Sequence, residues 1–167
     1  MNVFTYGTLM TGKSREDVLP YPRERATIPG RLYDSPWAGF PFVVLFPSTV
    51  LISLPLRRYM FGGGHDLVMP HVKYPTVFPR VHGEIVTVPD AEAEIVLAEL
   101  DRIEAGAVCY RRGMVTATTA NKELVSAWVY YAENEEAIYN CGVEGTLVPV
   151  LSGKWKANIA YNVKEEM

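Results

Sequence analysis

Cysteine is scarce in this 167-residue chain: only Cys109 and Cys141 occur, without the C-x-x-C spacing of redox or zinc sites. Two thiols cannot staple a small secreted scaffold. They read as small, partly buried side chains in a reducing cytoplasm, with a single disulfide or a catalytic Cys as the alternatives. Histidine is equally sparse, at three residues. His65-Asp66, His71 and His82 match no helical His-x-x-x-His pair, and the glycines and Pro70 around them oppose a helix, so no metal site is expected. Gly62-Gly63-Gly64 lacks a following Lys-Ser/Thr and is not a phosphate loop. Long basic runs are missing too. Arg23/Arg25, Arg57/Arg58 and Arg111/Arg112 are isolated clusters in a chain of net charge −3, which argues against nucleic acid as a partner. The most apolar stretch, 40–56, is broken by Pro41, Pro47 and Pro55 and is too short for a bilayer. No basic n-region precedes an apolar h-region near residue 1. A soluble, cytoplasmic protein without a membrane partner is expected.

Hydrophobic residues make up 49% of the chain and charged residues 21%, which excludes disorder over most of the length. The length suits one domain, 1–167, with no repeat and no linker. Residues 2–6 read as a strand that stops at Gly7, and 14–17 as the start of a short helix capped by Ser14. A strand over 26–33 is disturbed at Pro29-Gly30. Further apolar runs cover 42–46 and 81–88, where Gly83 allows close backbone approach. The clearest helix spans 90–104. Strands over 108–119 and 124–132 flank a turn at Ala120-Asn121-Lys122-Glu123, a short helix falls at 134–139, and the turn-rich C-terminus is expected to wrap the surface. Strands, one central helix, then a long hairpin make an α+β domain rather than a wound parallel sheet.

The central helix carries the most informative residue. At about 100° per residue, Ala93, Val96, Leu97, Leu100 and Ile103 form one apolar stripe, and Glu92, Glu99 and Arg102 lie opposite. Glu104 follows Leu100 by four residues and Leu97 by seven, so it projects from the inward face. A lone carboxylate there is costly unless paired or protonated, and burial raises its pKa toward what a general base needs near neutral pH. Two other arrangements stay open on periodicity alone: the helix frays near Gly106 and releases the side chain to water, or Arg111 or Arg112 pairs with it.

Several stretches, taken together, resemble the γ-glutamyl cyclotransferase-like family. Val3-Phe4-Thr5-Tyr6-Gly7-Thr8-Leu9 is similar to its N-terminal strand and turn. Gly30-Arg31-Leu32-Tyr33 with Phe40-Pro41 is similar to its next strand pair. Val81-His82-Gly83-Glu84-Ile85, Leu100-Asp101-Arg102-Ile103-Glu104, Tyr110-Arg111-Arg112, Ala127-Trp128-Val129-Tyr130 and Ser152-Gly153-Lys154-Trp155 follow in the family's order. The resemblance covers 1–44 and 80–155; residues 45–79 depart from it as an atypical insertion, an extra hairpin, a lid or an interface. It implies a small mixed β-barrel with a few helices and a cavity lined by the first turn. It implies Glu104 as catalytic acid/base and a γ-glutamyl small molecule as substrate, cyclised to 5-oxoproline with release of an amine or amino acid. No cofactor and no metal are required, because the substrate's own α-amine attacks. Tyr6, Gly7, Thr8 and Leu9 are the candidate substrate-binding residues; their N–H groups suit an oxyanion or an α-carboxylate, and the bare alternative is a strand-ending turn. Tyr110 either meets the substrate, orients Glu104, or is a half-buried strand residue. The competing reading is a non-catalytic relative that binds a small acidic ligand or a protein partner. Nothing in the residues fixes an oligomeric state.

Overall fold

The structure is a computed structural model describing residues 1–36, 38–55, 78–104, 110–140 and 145–156. It is organised around β1 (Asn2–Thr5), in which Val3, Phe4 and Thr5 are all buried. A strand buried on both faces needs partners on both edges and packed layers on both sides. β6 (Arg80–Thr87) pairs antiparallel with one edge of β1, and β8 (Leu124–Ala132) lies parallel along the other. β2 (Arg23–Pro29) continues from β6, and β7 (Tyr110–Thr119) joins β2 to β8. The order β7–β2–β6–β1–β8 thus returns to β7 and closes a five-stranded barrel.

Four further strands extend the barrel: β5 (Val50–Pro55) runs along the first half of β7, and β4 (Phe40–Val44), β3 (Arg31–Ser35) and β9 (Val148–Pro149) continue outward from the end of β8. A 3₁₀ turn at Asp90–Glu92 leads into α1 (Ala93–Glu104), and α2 (Glu135–Asn140) follows β8. This is the small mixed barrel with few helices that the sequence led us to expect.

Period-two alternation divides the core in two. Phe4, Ile28, Ile85, Val115 and Val129, one from each barrel strand, pack inside the barrel. Their neighbours Val3, Val86, Tyr110 and Tyr130 face outward and pack with Leu100 of α1, Phe42 of β4 and Ile138 of α2. Gly83 marks a point where the barrel is tightest. A Cβ there would stand 2.1 Å from the Thr5 carbonyl oxygen and 2.6 Å from the Phe4 ring. Backbone cannot yield at a closed seam, so only glycine fits.

Several details differ from expectation. Ser14 caps nothing: the short helix is a 3₁₀ turn, Glu16–Val18, preceded by Arg15 with no side-chain cap. Its place is taken by Glu16, whose carboxylate accepts from the Gly12 N–H at 2.7 Å. The strand over 26–33 is two strands, because the chain turns at Gly30. The C-terminal stretch does more than cover the surface: β9 pairs with β3, and Trp155 is buried in the barrel core with its Nε1–H donating to Asp34. On α1 only Leu100 is fully buried, so the apolar stripe faces the barrel but lies shallowly on it. Part of the 45–79 segment is the strand β5; residues 56–77, with the triple glycine, His65 and His71, lie outside the described residues. Cys109, Cys141, Gly106 and Trp37 do as well. No helix among the described residues is long and apolar enough to cross a membrane.

Gly83→Ala is expected to destabilise the fold by about 3 kcal/mol or more, at the upper end of overpacking costs, measured by urea unfolding; a loss under about 1 kcal/mol would show that the barrel seam has slack.

Candidate active site

The cavity arises from a conflict over one strand edge. β8 gives its other edge entirely to β7, so β1 and β4, both parallel to β8, must share the remaining one. β1 takes it at Trp128 and β4 takes it at Ala132. Between these two points the strands part, and a cavity of about 430 Å³ opens over Tyr130. Its walls are residues 3–9 of β1 and the following turn, Ser14 and Arg15, Phe40, Pro41 and Phe42 of β4, Tyr110, and Ile103 and Glu104 at the end of α1. That volume and mostly apolar lining are typical of a small-molecule site. All six residues singled out from the sequence, Tyr6, Gly7, Thr8, Leu9, Glu104 and Tyr110, border it.

The first turn closes with Met10 N–H donating to the Gly7 carbonyl at 3.1 Å and Arg15 N–H donating to the Thr8 carbonyl at 2.9 Å. The N–H groups of Gly7, Thr8 and Leu9 donate to no acceptor among the described residues. Tyr6 donates its hydroxyl to the Tyr130 carbonyl at 2.7 Å and so ties the turn to β8. A Cβ at Gly7 would stand 3.0 Å from the Pro41 ring, a tight contact, so its absence lets the turn sit against β4. Tyr110 is buried and donates its hydroxyl to the Pro41 carbonyl at 3.0 Å. Its proton is therefore committed to holding β4 against β7 rather than to Glu104.

The loop beyond the turn is clamped by Arg23. Its guanidinium donates to the carbonyls of Leu9 at 2.8 Å, Glu16 at 3.0 Å and Leu19 at 2.9 Å, and to Glu84 at 3.1 Å. Glu84 also accepts from the backbone and hydroxyl of Thr11. Three backbone carbonyls bound by one planar fork fix a loop that has little regular structure of its own.

Glu104 belongs to the last turn of α1, and that turn is locked by its neighbour Asp101. Asp101 accepts from Arg112 at 2.7 Å and from the Tyr130 hydroxyl at 2.6 Å. The pair is well sheltered, with side-chain exposures of 4% for Arg112 and 15% for Asp101, and the guanidinium lies over the Trp128 ring. Burial and the Asp101 carboxylate push the Tyr130 hydroxyl far above its ordinary value of 10.0, so it stays a donor. Sequence reasoning considered Arg112 as a partner for Glu104 and overlooked Asp101. The missed signal was spacing: Asp101 follows Leu97 by four residues and therefore also lies near the inward face.

With Arg112 taken by Asp101, and Arg111 bonding Ser53 and Glu133, Glu104 has no hydrogen-bond or ion-pair partner among the described residues. It neither frays into solvent nor pairs with an arginine. It is half-buried and borders the cavity. This burial raises its carboxyl from the ordinary 4.5 to about 7, opposed only by the charge of Arg15. No cluster of His, Cys, Asp and Glu able to hold a metal occurs among the described residues.

Comparison with known proteins places the chain. The family "Gamma-glutamyl cyclotransferase, AIG2-like" matches residues 55–157, more than half the sequence, and the chain belongs to that family. The match contains Asp101, Glu104, Tyr110, Arg112 and Tyr130, begins within the 45–79 segment, and does not reach the Tyr6–Leu9 turn. Among solved structures, that of the uncharacterized protein PH0828 from Pyrococcus horikoshii is similar, with a TM-score of 0.49 and 16% identity, covering 92% of this chain and 88% of that one. No curated protein matches.

Asp101→Asn leaves the buried Arg112 charge without its carboxylate and is expected to cost about 3–5 kcal/mol in urea unfolding. Replacing both partners, Asp101→Leu with Arg112→Met, should cost less than the single change; the reverse order would mean the ion pair is not what holds this turn. Glu104 makes the opposite prediction. Between 4.5 and about 7 the folded chain holds a proton there that the unfolded chain has released, so folding stability contributed by this group falls as pH rises through that window. Glu104→Gln should therefore gain stability relative to the parent from pH 5 to pH 8, read from the difference in unfolding midpoints. A difference that does not change with pH would place the carboxylate in water.

Proposed function

We infer that the protein is a γ-glutamyl cyclotransferase that cleaves a γ-glutamyl amine or amino acid and releases 5-oxoproline, with Glu104 as general acid/base. The observation that carries this reading is Glu104, without a partner among the described residues and raised to about 7, on a 430 Å³ cavity that is also lined by a turn whose Gly7, Thr8 and Leu9 N–H groups donate to no acceptor among those residues.

The reaction is an intramolecular aminolysis. The substrate's α-ammonium loses a proton to Glu104, and the free amine attacks the γ-carbonyl carbon. A C–N bond forms, closing a five-membered ring. The original amide C–N bond then breaks as Glu104 returns that proton to the departing nitrogen; the second proton that the attacking nitrogen sheds on becoming the lactam N–H also passes to the released amine, which leaves as an ammonium, so atoms and charge balance without a further reactant. A base with a pKa near 7 is ionised often enough to accept the proton and acidic enough to give it back. The amine and carbonyl must be held about 3–3.5 Å apart, which a cavity that restricts the chain of the substrate favours. N–H groups of Gly7, Thr8 and Leu9 are the donors for the oxyanion; in comparable sites one such donor contributes about 2.7–4 kcal/mol. Phe42 and Tyr110, with rings 5.5 Å apart and stacked, form part of the cavity's apolar wall.

A panel of γ-glutamyl amino acids, γ-glutamyl amines and glutathione-like peptides, assayed for 5-oxoproline, tests the reading. The parent protein is expected to turn over at least one member, with kcat/KM rising as pH increases through about 7. Glu104→Gln is expected to lose about 100-fold or more in kcat, in the range of general acid–base contributions, while remaining folded. Equal turnover by the folded Glu104→Gln variant would sink the assignment of the base. Binding without turnover by the parent would make the protein a non-catalytic member of the family.

A further inference from the structure

Glu104 is not the only charged residue on the cavity. Arg15 borders it too, and among the described lining residues these two carry the only formal charges. The arginine's placement is not accidental to a loose loop. Its own N–H is bonded to Thr8 in the first turn, and the segment on either side is gripped by Arg23 through the carbonyls of Leu9, Glu16 and Leu19. Yet its guanidinium makes no hydrogen bond or ion pair with any described residue and is exposed. An arginine delivered to a cavity by an ordered backbone, with its five donors unused, is poised for a ligand carboxylate, which it can bind through two parallel bonds.

We propose that Arg15 is the residue that binds the α-carboxylate of the γ-glutamyl group. The proposal rests on the reading of the site given above and deepens it. The α-amine and α-carboxylate of a γ-glutamyl substrate leave the same carbon, so a base serving the amine needs a cation close by for the carboxylate. Arg15 meets that demand: its charge is near enough to Glu104 to oppose the effect of burial there. The carboxylate is present whatever amine leaves, so Arg15 selects the γ-glutamyl head and is indifferent to the leaving group. With the carboxylate on Arg15, the N–H groups of Gly7, Thr8 and Leu9 are left for the oxyanion. The guanidinium acts before and after the ring closes, because the carboxylate takes no part in the reaction. It therefore contributes to binding more than to the rate of the chemical step.

The test compares the parent with Arg15→Gln and Arg15→Lys on the best substrate of the panel, on its α-carboxamide analogue, and on γ-glutamyl-ethylamine, which keeps the α-carboxylate and has none on the leaving group. Arg15→Gln is expected to raise KM about 10- to 100-fold for both substrates bearing the α-carboxylate, as for loss of a charged hydrogen-bonded pair, with kcat little changed. The α-carboxamide should be poor for the parent and no worse for the variant, and Arg15→Lys should recover part of the loss. Calorimetric binding of 5-oxoproline against its carboxamide gives the same comparison without turnover. A penalty that is equal with and without the α-carboxylate, or that appears only when the leaving group is acidic, overturns the assignment of Arg15 and leaves the cyclotransferase reading intact. Failure of the parent to turn over any γ-glutamyl compound overturns both.

Discussion

The ion pair between Arg112 and Asp101 is the contact on which the site depends. It joins the last turn of α1 to β7, and the Tyr130 hydroxyl bonded to the same carboxylate joins it to β8. Without this anchor α1 has little to hold it, since only Leu100 of its apolar stripe is fully buried. Anchoring one carboxylate also decides the fate of the other. Asp101 binds Arg112, and one turn of helix further on Glu104 borders the cavity without a hydrogen-bond or ion-pair partner among the described residues. A buried ion pair of this kind is weak evidence for stability in itself; its use here is geometric, and the unpaired neighbour is the result.

The rest of the site is built around the same economy of partners. Arg23 has four acceptors and holds the 9–19 loop; Tyr6 and Tyr110 spend their hydroxyl protons on main-chain carbonyls of β8 and β4. Polar groups that could interact with a ligand indiscriminately are thereby removed from the cavity. Among the described lining residues the charged groups are the Glu104 carboxylate and the Arg15 guanidinium, beside Thr8, Ser14 and aromatic walls. Glu104 is kept in an environment that disfavours its charged form, a local cost in stability of the kind often found where a group must both accept and return a proton. The cavity itself follows from strand geometry: two strands parallel to β8 cannot share one edge over its whole length, and the space where they separate is the pocket.

Much of the fold was legible in the chain because it is written in local periods. The alternation in β6, in β7 and in β8, the turn between the last two, and the 3.6-residue stripe of α1 all depend on neighbours within a few positions. Glu104 was legible for the same reason, as a charged residue on the inward side of an otherwise apolar helix. Ser14 misled, because a good capping residue next to acidic positions looks alike before an α-helix and before a single 3₁₀ turn; the competing bond from Glu16 to Gly12 spans only four residues but needs the loop already folded. The closeness of Gly7 to the Pro41 ring, thirty-four positions away, has no local signal.

The residue pattern by itself determined that strands and one amphipathic helix would form, that the chain would bury a core, and that Glu104 falls on the inward side of that helix. These are consequences of side-chain spacing, which survives in any arrangement of the elements. Which groups meet was decided only by tertiary structure. Closure of β7 onto β8 sets a register that brings Arg112 to Asp101, the return of β2 puts Arg23 beneath the first loop, and the parting of β1 from β4 places Arg15 and Glu104 on one cavity. Each of these pairs lies in different elements, and no period in the sequence links them; strand register and loop closure do.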